Sequence, residues 1–250
     1  MRFGAIIIGD EILSGKRQDG HLAQVIRTLG ARGLALGWAQ YLGDDPDHIT
    51  QTLRRTFGSG DVVFSFGGIG ATPDDHTRQC AADAAGVPLC LHPDAEREIR
   101  GRWGAEATPQ RLAMGEFPQG CAIIPNPFNR IPGFRFHDHY FVPGFPQMAW
   151  PMVEWVLDTT YVHLFARGAV GEASIIVRGG GESQIIDLMQ ACGGTFPRLK
   201  VFSLPRMDPG NHFIELGVRG ATEDVEPALA VLKAGIEALG FRWEPVAGPG

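Results

Sequence analysis

The sequence has no apolar run approaching the ~18 residues that a bilayer-spanning helix needs, which excludes such a helix. It has no extended basic tract and carries a formal net charge of −6, which argues against a general nucleic-acid binder. Its four cysteines, Cys80, Cys90, Cys121 and Cys192, are scattered without metal-ligand spacing and read as reduced, mostly packed thiols. The opening Met1-Arg2-Phe3-Gly4 runs straight into Ala5-Ile6-Ile7-Ile8, too short for a secretory core, so the expectation is a cytoplasmic protein. Charged residues make up 20% of the chain against 44% hydrophobic, a balance that suits a globular protein and not a disordered one.

Glycine, by contrast, is plentiful: 34 glycines and 18 prolines predict many turns, in a chain of 250 residues near the length at which chains often split into two domains. The densest cluster lies in Phe64-Ser65-Phe66-Gly67-Gly68-Ile69-Gly70-Ala71-Thr72-Pro73-Asp74-Asp75-His76-Thr77. An apolar run feeds Gly67, Gly68 and Gly70, where a sharply turned backbone exposes N–H groups that can hold an anion. Asp74 and Asp75 follow at once. Beside a phosphate they would repel it unless a cation intervened, and Mg²⁺ bridging carboxylate and phosphate is the economical solution. The alternative is that Asp74 caps a helix while Thr77 packs. Thr72 either donates to phosphate or shapes the turn. The loop is neither a Walker A sequence nor a Gly-x-Gly-x-x-Gly fingerprint.

The first part of the chain reads as repeated strand–loop–helix units, which imply a parallel sheet covered on both faces. Strands are predicted over 3–9, 34–42 and 61–66, with helices over 21–31, 47–57 and 78–85. In the first helix Leu22, Val25, Ile26 and Leu29 share one face. Helices over 93–103 and 109–114 follow, then strands over 121–124 and 139–142 around a segment, 125–134, whose prolines exclude regular helix, and a helix from Trp150 to about Leu157. Residues 161–165 look extended. Beyond them the pattern changes to a β-rich α+β unit: strands over 171–177, 201–205 and 212–218, a helix-compatible stretch over 183–192, and a helix over 222–239. Thr222 caps that last helix, and Val225, Leu229, Leu232 and Ile236 line one side. The expected domains are 1–165 and 166–246.

Three further clusters have open readings. Gly9-Asp10-Glu11 sits at the end of the first strand, where open α/β sheets place ligand loops, and serves either as a hydrogen-bonding site or as a turn with its cap. Asp44-Asp45 beside Pro46 suits a helix start as well as a site. His76 either points into the cleft or is solvated. In His137-Asp138-His139, alternate residues on a strand would share a face and could reach one ion, or the trio is a turn between strands. Met148 and Met152 read as packing residues.

Five segments, in order, resemble the N-terminal part of the CinA, or competence/damage-inducible protein A, family. They are Gly9 to Gly15, Gly43-Asp44-Asp45, Gly67 to Thr77, Met114 through Pro118 and Asn126 to Pro132-Gly133-Phe134, and Pro143-Gly144-Phe145-Pro146 with Met148 and Met152. The resemblance implies the molybdopterin-binding fold of molybdenum-cofactor biosynthesis proteins, a three-layer α/β/α domain with a mostly parallel sheet. Residues 168–243 resemble the small KH-like domain that follows it in CinA proteins, but without a basic Gly-x-x-Gly clamp, so nucleic-acid binding is not expected. The nicotinamide-mononucleotide deamidase domain of longer members is expected to be absent.

What the resemblance implies for function is a small phosphorylated ligand, molybdopterin or a dinucleotide, and metal-dependent hydrolysis of the pyrophosphate bond of an ADP-ribose- or FAD-like compound. The alternative is a binding protein with little or no catalysis. Mapped onto this chain, Asp45 and Asp75 are catalytic and hold Mg²⁺ or another divalent cation. Gly9, Asp10, Glu11, Gly67, Gly68, Gly70, Thr72, Asp74, Thr77, Asn126, Pro132 and Gly133 form the ligand site. A homodimer, with no membrane partner, is the implied assembly. Three positions depart from the family pattern: Ala71 replaces a proline, His21 an asparagine and Gln147 a glutamate.

Overall fold

Six consecutive buried residues, Phe3–Ile8, form the strand β1 around which the first part of the chain is built. Burial on both faces is what a parallel strand covered by helices requires. The computed structural model describes residues 1–165, 170–208 and 211–246, and the chain divides into two units, Met1–Leu164 and Phe165–Gly250.

In the first unit β1 leads through one helical turn, α1 (Asp10–Leu13), to α2 (His21–Gly30), β2 (Leu36–Leu42), α3 (Pro46–Phe57), β3 (Val62–Phe66) and α4 (Thr77–Ala85). Then come β4 (Leu89–Leu91), α5 (Pro93–Trp103), α6 (Pro109–Leu112), β5 (Glu116–Pro118), β6 (Ala122–Ile124), β7 (Gly133–Phe136), β8 (His139–Val142) and α7 (Pro146–Thr160). The sheet order is β2-β1-β3-β8-β7-β6. Its first four strands are parallel, β7 runs antiparallel to β8, and β6 antiparallel to β7. β4 and β5 pair separately. Prolines 46, 93 and 146 each stand in the first turn of a helix, where the missing N–H costs no bond. The core beneath the sheet gathers Ile6, Ile8, Leu53, Phe117, Phe134 and Phe141, all buried.

Several expectations change. The buried face of α2 is formed by His21, Val25, Thr28 and Leu29, while Ile26 is 51% exposed. His21 takes up interior space that the sequence pattern had given to an aliphatic side chain, and the helix is rotated accordingly. Residues 162–164 form a 3₁₀ turn, closed by Leu164 N–H to Tyr161 O at 2.9 Å, and not a strand. The proline-rich segment holds no helix, as expected, and its end joins the sheet, since β7 begins at Gly133. His137 lies in the β7–β8 turn with φ +51°, off the strand that carries His139. Both imidazoles pack around Phe57, at 5.4 and 4.7 Å between ring centres. Among the described residues no three His, Cys, Asp or Glu side chains are grouped to hold a metal ion.

The second unit comprises β9 (Val170–Arg178), α8 (Glu182–Thr195), β10 (Leu199–Asp208), β11 (Asn211–Ala221), α9 (Thr222–Ala238) and β12 (Arg242–Pro245). Its sheet, β10-β11-β9-β12, is antiparallel throughout. The order β-α-β-β-α-β with these pairings is the split βαβ arrangement of ferredoxin-like folds. Val225, Leu229, Leu232 and Ile236 are buried against it, as the helical spacing predicts. The cap of α9 is Ala221, with Thr222 already its first helical residue. No helix among the described residues is long and apolar enough to cross a membrane.

Candidate functional site

The chain leaves β1 toward β2 on one side and returns to β3 on the other, so the carboxyl ends of β1 and β3 flank a topological switch point. A cavity of about 380 Å³ opens there. Its floor is the backbone of Ile8, Gly9 and Gly67 to Ala71, its far wall the loops around Asn126–Pro132 and Pro143–Phe145. That volume lies within the range of small-molecule sites.

The glycine loop has a strained course that its residues make affordable. Gly67 has φ +98° and Gly68 φ +68°; a Cβ on the first would strike Ile8 O, on the second Thr77 Oγ1. Thr77, fully buried at the start of α4, fixes this loop twice: its Oγ1 donates to Gly67 O (3.0 Å) and its N–H to Gly68 O (2.9 Å). Arg78 holds the next stretch from behind. The residue is 3% exposed, and its guanidinium donates to Gly70 O (2.8 Å), Glu116 O (3.2 Å) and Ala113 O, all of them neutral carbonyls. Burial lowers its pKa, with Glu116 and Asp75 opposing. With the Gly70 carbonyl drawn back to Arg78, this side of the cavity carries a buried positive charge.

Carboxylates crowd the mouth. Asp10 and Asp44 clasp reciprocally: Asp10 N–H donates to Asp44 Oδ2 (2.9 Å) and Asp44 N–H to Asp10 Oδ1 (3.2 Å). Burial raises the pKa of Asp44; the Asp10 N–H works against this, and the charges of Asp10, Glu11 and Asp74 add to it. Asp75 is already engaged, since its Oδ2 accepts from Thr72 N–H (2.9 Å) and Thr72 Oγ1 (2.6 Å).

Of the residues singled out in the sequence, Gly9, Glu11, Gly67, Gly68, Gly70 and Thr72 line the cavity, as do Asp74, Asp75, Asn126 and Pro132. Asn126 is buried and closes its own loop, with Nδ2 donating to Ile131 O (2.9 Å) and Oδ1 accepting from Phe128 N–H (3.1 Å). Four do not reach the lining. Thr77 lies behind it, and Asp10 works through Asp44. Gly133 packs inside β7, where a Cβ would meet Phe141 O. Asp45 is the N-cap of α3, accepting from His48 N–H at 2.9 Å. Asp45 and Asp75 therefore do not converge on one cavity; Asp44 stands where Asp45 was expected. His76 lines a neighbouring groove on the other side of the loop instead.

Other lining residues were not singled out as site residues: Arg17, Asp44, Asn129, Gly144 and Met148 among them. Among the described residues Arg17 is the one Lys, Arg or His in the lining. The signal for it was the basic pair Lys16-Arg17 just after the Gly9–Gly15 loop. Gly144 depends on a buried histidine. His21 Nε2 lies 3.1 Å from Gly144 O, Trp150 Nε1 donates to His21 Nδ1 (3.3 Å), and the ring stacks on Phe66 at 4.5 Å. Receiving a bond at Nδ1 fixes the neutral Nε2–H form, and burial lowers the pKa, with Gly144 O and Asp19 opposing.

Residues 4–162 match the family model described as "Probable molybdopterin binding domain". A CinA-like protein of Syntrophotalea carbinolica is 34% identical over 243 residues, covering 92% of this chain and 52% of the relative. One from Desulfovibrio desulfuricans is 29% identical over 251 residues, covering 96% and 56%. The chain thus spans about half the length of these CinA-like relatives. A crystal structure of the protein CinA, of unknown function, from Thermoplasma acidophilum superposes with a TM-score of 0.58 at 29% identity, covering 63% of this chain and 98% of that one.

Proposed function

Since this chain belongs to the probable molybdopterin binding domain family, we propose that its first unit binds a phosphorylated pterin or nucleotide, with the phosphates on the glycine loop. The observation that carries this is the loop itself: a backbone turned by Gly67 and Gly68, pinned from behind by Thr77 and Arg78, and open to a cavity of about 380 Å³. Phosphate oxygens would be met by backbone N–H groups and by the field of a buried guanidinium. On the opposite side Met114, Ile131, Phe145 and Met148 offer apolar surface for a ring.

A further reading, metal-dependent cleavage of a pyrophosphate bond, is favoured by the acidic mouth. Glu11, Asp44, Asp74 and Asp75 all line the cavity, and beside burial the charges of Asp10, Glu11 and Asp74 help raise the pKa of Asp44, as a site that gains from a cation would. With no three-carboxylate group among the described residues, a divalent ion would be held jointly by Asp44, its neighbours and the ligand's phosphates. When bound it would neutralise the phosphates and polarise water. The protein's own part is to orient the phosphates against the loop and to keep Asp10 and Asp44 clasped beside them.

The test is calorimetric titration with pyrophosphate, ADP and molybdopterin, alongside AMP release from ADP-ribose, FAD and NAD with and without Mg²⁺. Binding that disappears in Gly68→Ala supports the ligand site. AMP release that needs Mg²⁺ and disappears in Asp44→Asn supports cleavage. Binding without AMP release removes the second reading and keeps the first; no binding of any probe removes both.

A further inference from the structure

Part of the far wall of the glycine-loop cavity is the loop between β6 and β7, and its backbone carries a turn that its sequence does not favour. Asn129 and Ile131 line the cavity, whereas Arg130 between them lines a groove of about 410 Å³ that shares Asn126 and Pro132 with it. We propose that Arg130 is a positioning residue. It does not line the cavity, yet by latching this loop to α5 it sets the surface against which the ligand's ring lies. This rests on the binding reading above and adds what holds the ring's side of the site.

The backbone is the first observation. Arg130 has φ +64°, in the left-handed region where a Cβ crowds the following carbonyl, and no glycine stands there to relieve it. Within the loop Arg130 N–H donates to Asn126 O (3.0 Å) and Ile131 N–H to Asn129 Oδ1 (2.9 Å), and both bonds span the turn. The second observation is the anchor outside. Arg130 Nε donates to Glu98 Oε2 (2.9 Å), and its guanidinium lies across Gly101, where a Cβ would come within 2.8 Å of Nη2. Arg102, its guanidinium 5.1 Å from the Trp103 ring centre, donates to Asn129 O (2.6 Å). Glu98, Gly101 and Arg102 all belong to α5, so one helix holds the turn at two neighbouring residues.

The third is that the anchor is itself fixed. Ala95 and Ile99 of α5 are fully buried and pack against Gly115, whose neighbour Met114 also lines the cavity. α5 therefore braces the apolar wall at two places, Met114 and Ile131, without entering the cavity. The margin is narrow. The Arg130–Glu98 pair is partly exposed and weak alone, and a left-handed φ at a residue with a Cβ opposes it by a comparable amount. A small change at residue 130 is therefore enough to shift the loop.

The experiment is hydrogen exchange over residues 126–132 of the full chain without ligand, joined to titration calorimetry with pyrophosphate and with ADP in the presence of Mg²⁺. Arg130→Ala keeps the disfavoured φ and loses the latch, whereas Arg130→Gly loses the same contacts together with the φ penalty. Loop amides should exchange at least about fivefold faster in Arg130→Ala than in Arg130→Gly or the unaltered protein. ADP affinity should be lowest in Arg130→Ala, while pyrophosphate, which has no ring, should bind all three alike and so show that each is folded. Glu98→Ala should speed the exchange as Arg130→Ala does, and the double variant should add nothing further. Equal exchange in Arg130→Ala and Arg130→Gly, unchanged ADP affinity, or pyrophosphate affinity that falls in step with ADP overturns the positioning role, while binding by the unaltered protein keeps the glycine-loop reading. If neither probe binds the unaltered protein, that reading fails and the positioning role with it.

Discussion

His139 makes the first unit sensitive to acid, and by a calculable amount. It lies in the parallel sheet, 1% exposed, with Nε2 2.8 Å from Thr56 Oγ1. The Thr56 hydroxyl is committed as a donor to Thr52 O (3.1 Å) and Leu53 O (3.2 Å), so it accepts from Nε2–H, and the imidazole is neutral. Nδ1 is buried with no partner among the described residues. Burial, reinforced by the neighbouring His137 and opposed by Asp61, pushes the pKa down from 6.5 to about 3. Between those values the unfolded chain binds a proton at this position and the folded chain does not. Stability therefore rises with pH at about 1.4 kcal/mol per unit, is fully present above pH 6.5 and is lost as pH falls toward 3. From pH 7.5 to 4.5 the loss assigned to His139 is about 2.7 kcal/mol.

His139→Gln keeps an N–H donor for Thr56 and cannot be protonated. Urea unfolding of both proteins from pH 7.5 to 4.5, read by hydrogen exchange in peptides spanning β3 and β8, should show the variant with the shallower dependence, by about one proton. His21 and the carboxylates titrate in both proteins and cancel in the difference. Parallel pH profiles for the two would refute the account of a neutral, buried His139.

Other outcomes are expected as well. Gly68→Ala should abolish pyrophosphate binding. Gly60→Ala, at a similar φ of +69° but facing open space, should cost only the ~1–2 kcal/mol of a left-handed alanine and leave binding unchanged. Arg78→Met leaves the Gly70, Ala113 and Glu116 carbonyls without their buried donor; a loss of about 3 kcal/mol in urea unfolding, together with weaker pyrophosphate binding, is expected. Burial holds the His21 pKa below the ordinary histidine range; protonation at still lower pH removes its acceptor for Trp150, so ligand affinity should fall on acidification, and less so in His21→Gln. Asp44→Asn should strengthen pyrophosphate binding measured without metal, because one of the four crowding carboxylates is gone.

Much of the fold can be read in the residues themselves. Phe3–Ile8 and Val62–Phe66 are apolar but for Ser65 and are each followed by a glycine, and a strand buried on both faces leaves that trace. α5 begins at Pro93 and ends at Trp103, the bounds read from the sequence. Strands of three or four residues leave less. β4, β5 and β7 are held by their partners, and Gly133 within a proline-rich stretch carries no local preference for a ladder. The burial of His21 and the exposure of Ile26 are likewise set by tertiary contacts, Phe66 and Trp150, that lie far along the chain. At the candidate site, the glycines were legible because backbone geometry selects them. The choice between Asp44 and Asp45 was not, because either could cap α3, and only folding shows which turns toward Asp10.

β8 pairs on one side with β7, two residues back across the His137-Asp138 turn, and on the other with β3, more than seventy residues back. The hairpin closes a short loop and the β3 pairing a long one, so chain entropy favours the ribbon before its docking onto the sheet. The cavity needs both Gly67, after β3, and Pro143-Gly144, after β8, so it comes into being only with that late docking step. A ligand seated there recognises the finished first unit and no partly assembled form of it. Its concentration then sets how far the equilibrium lies toward the docked sheet, as linkage between binding and folding requires.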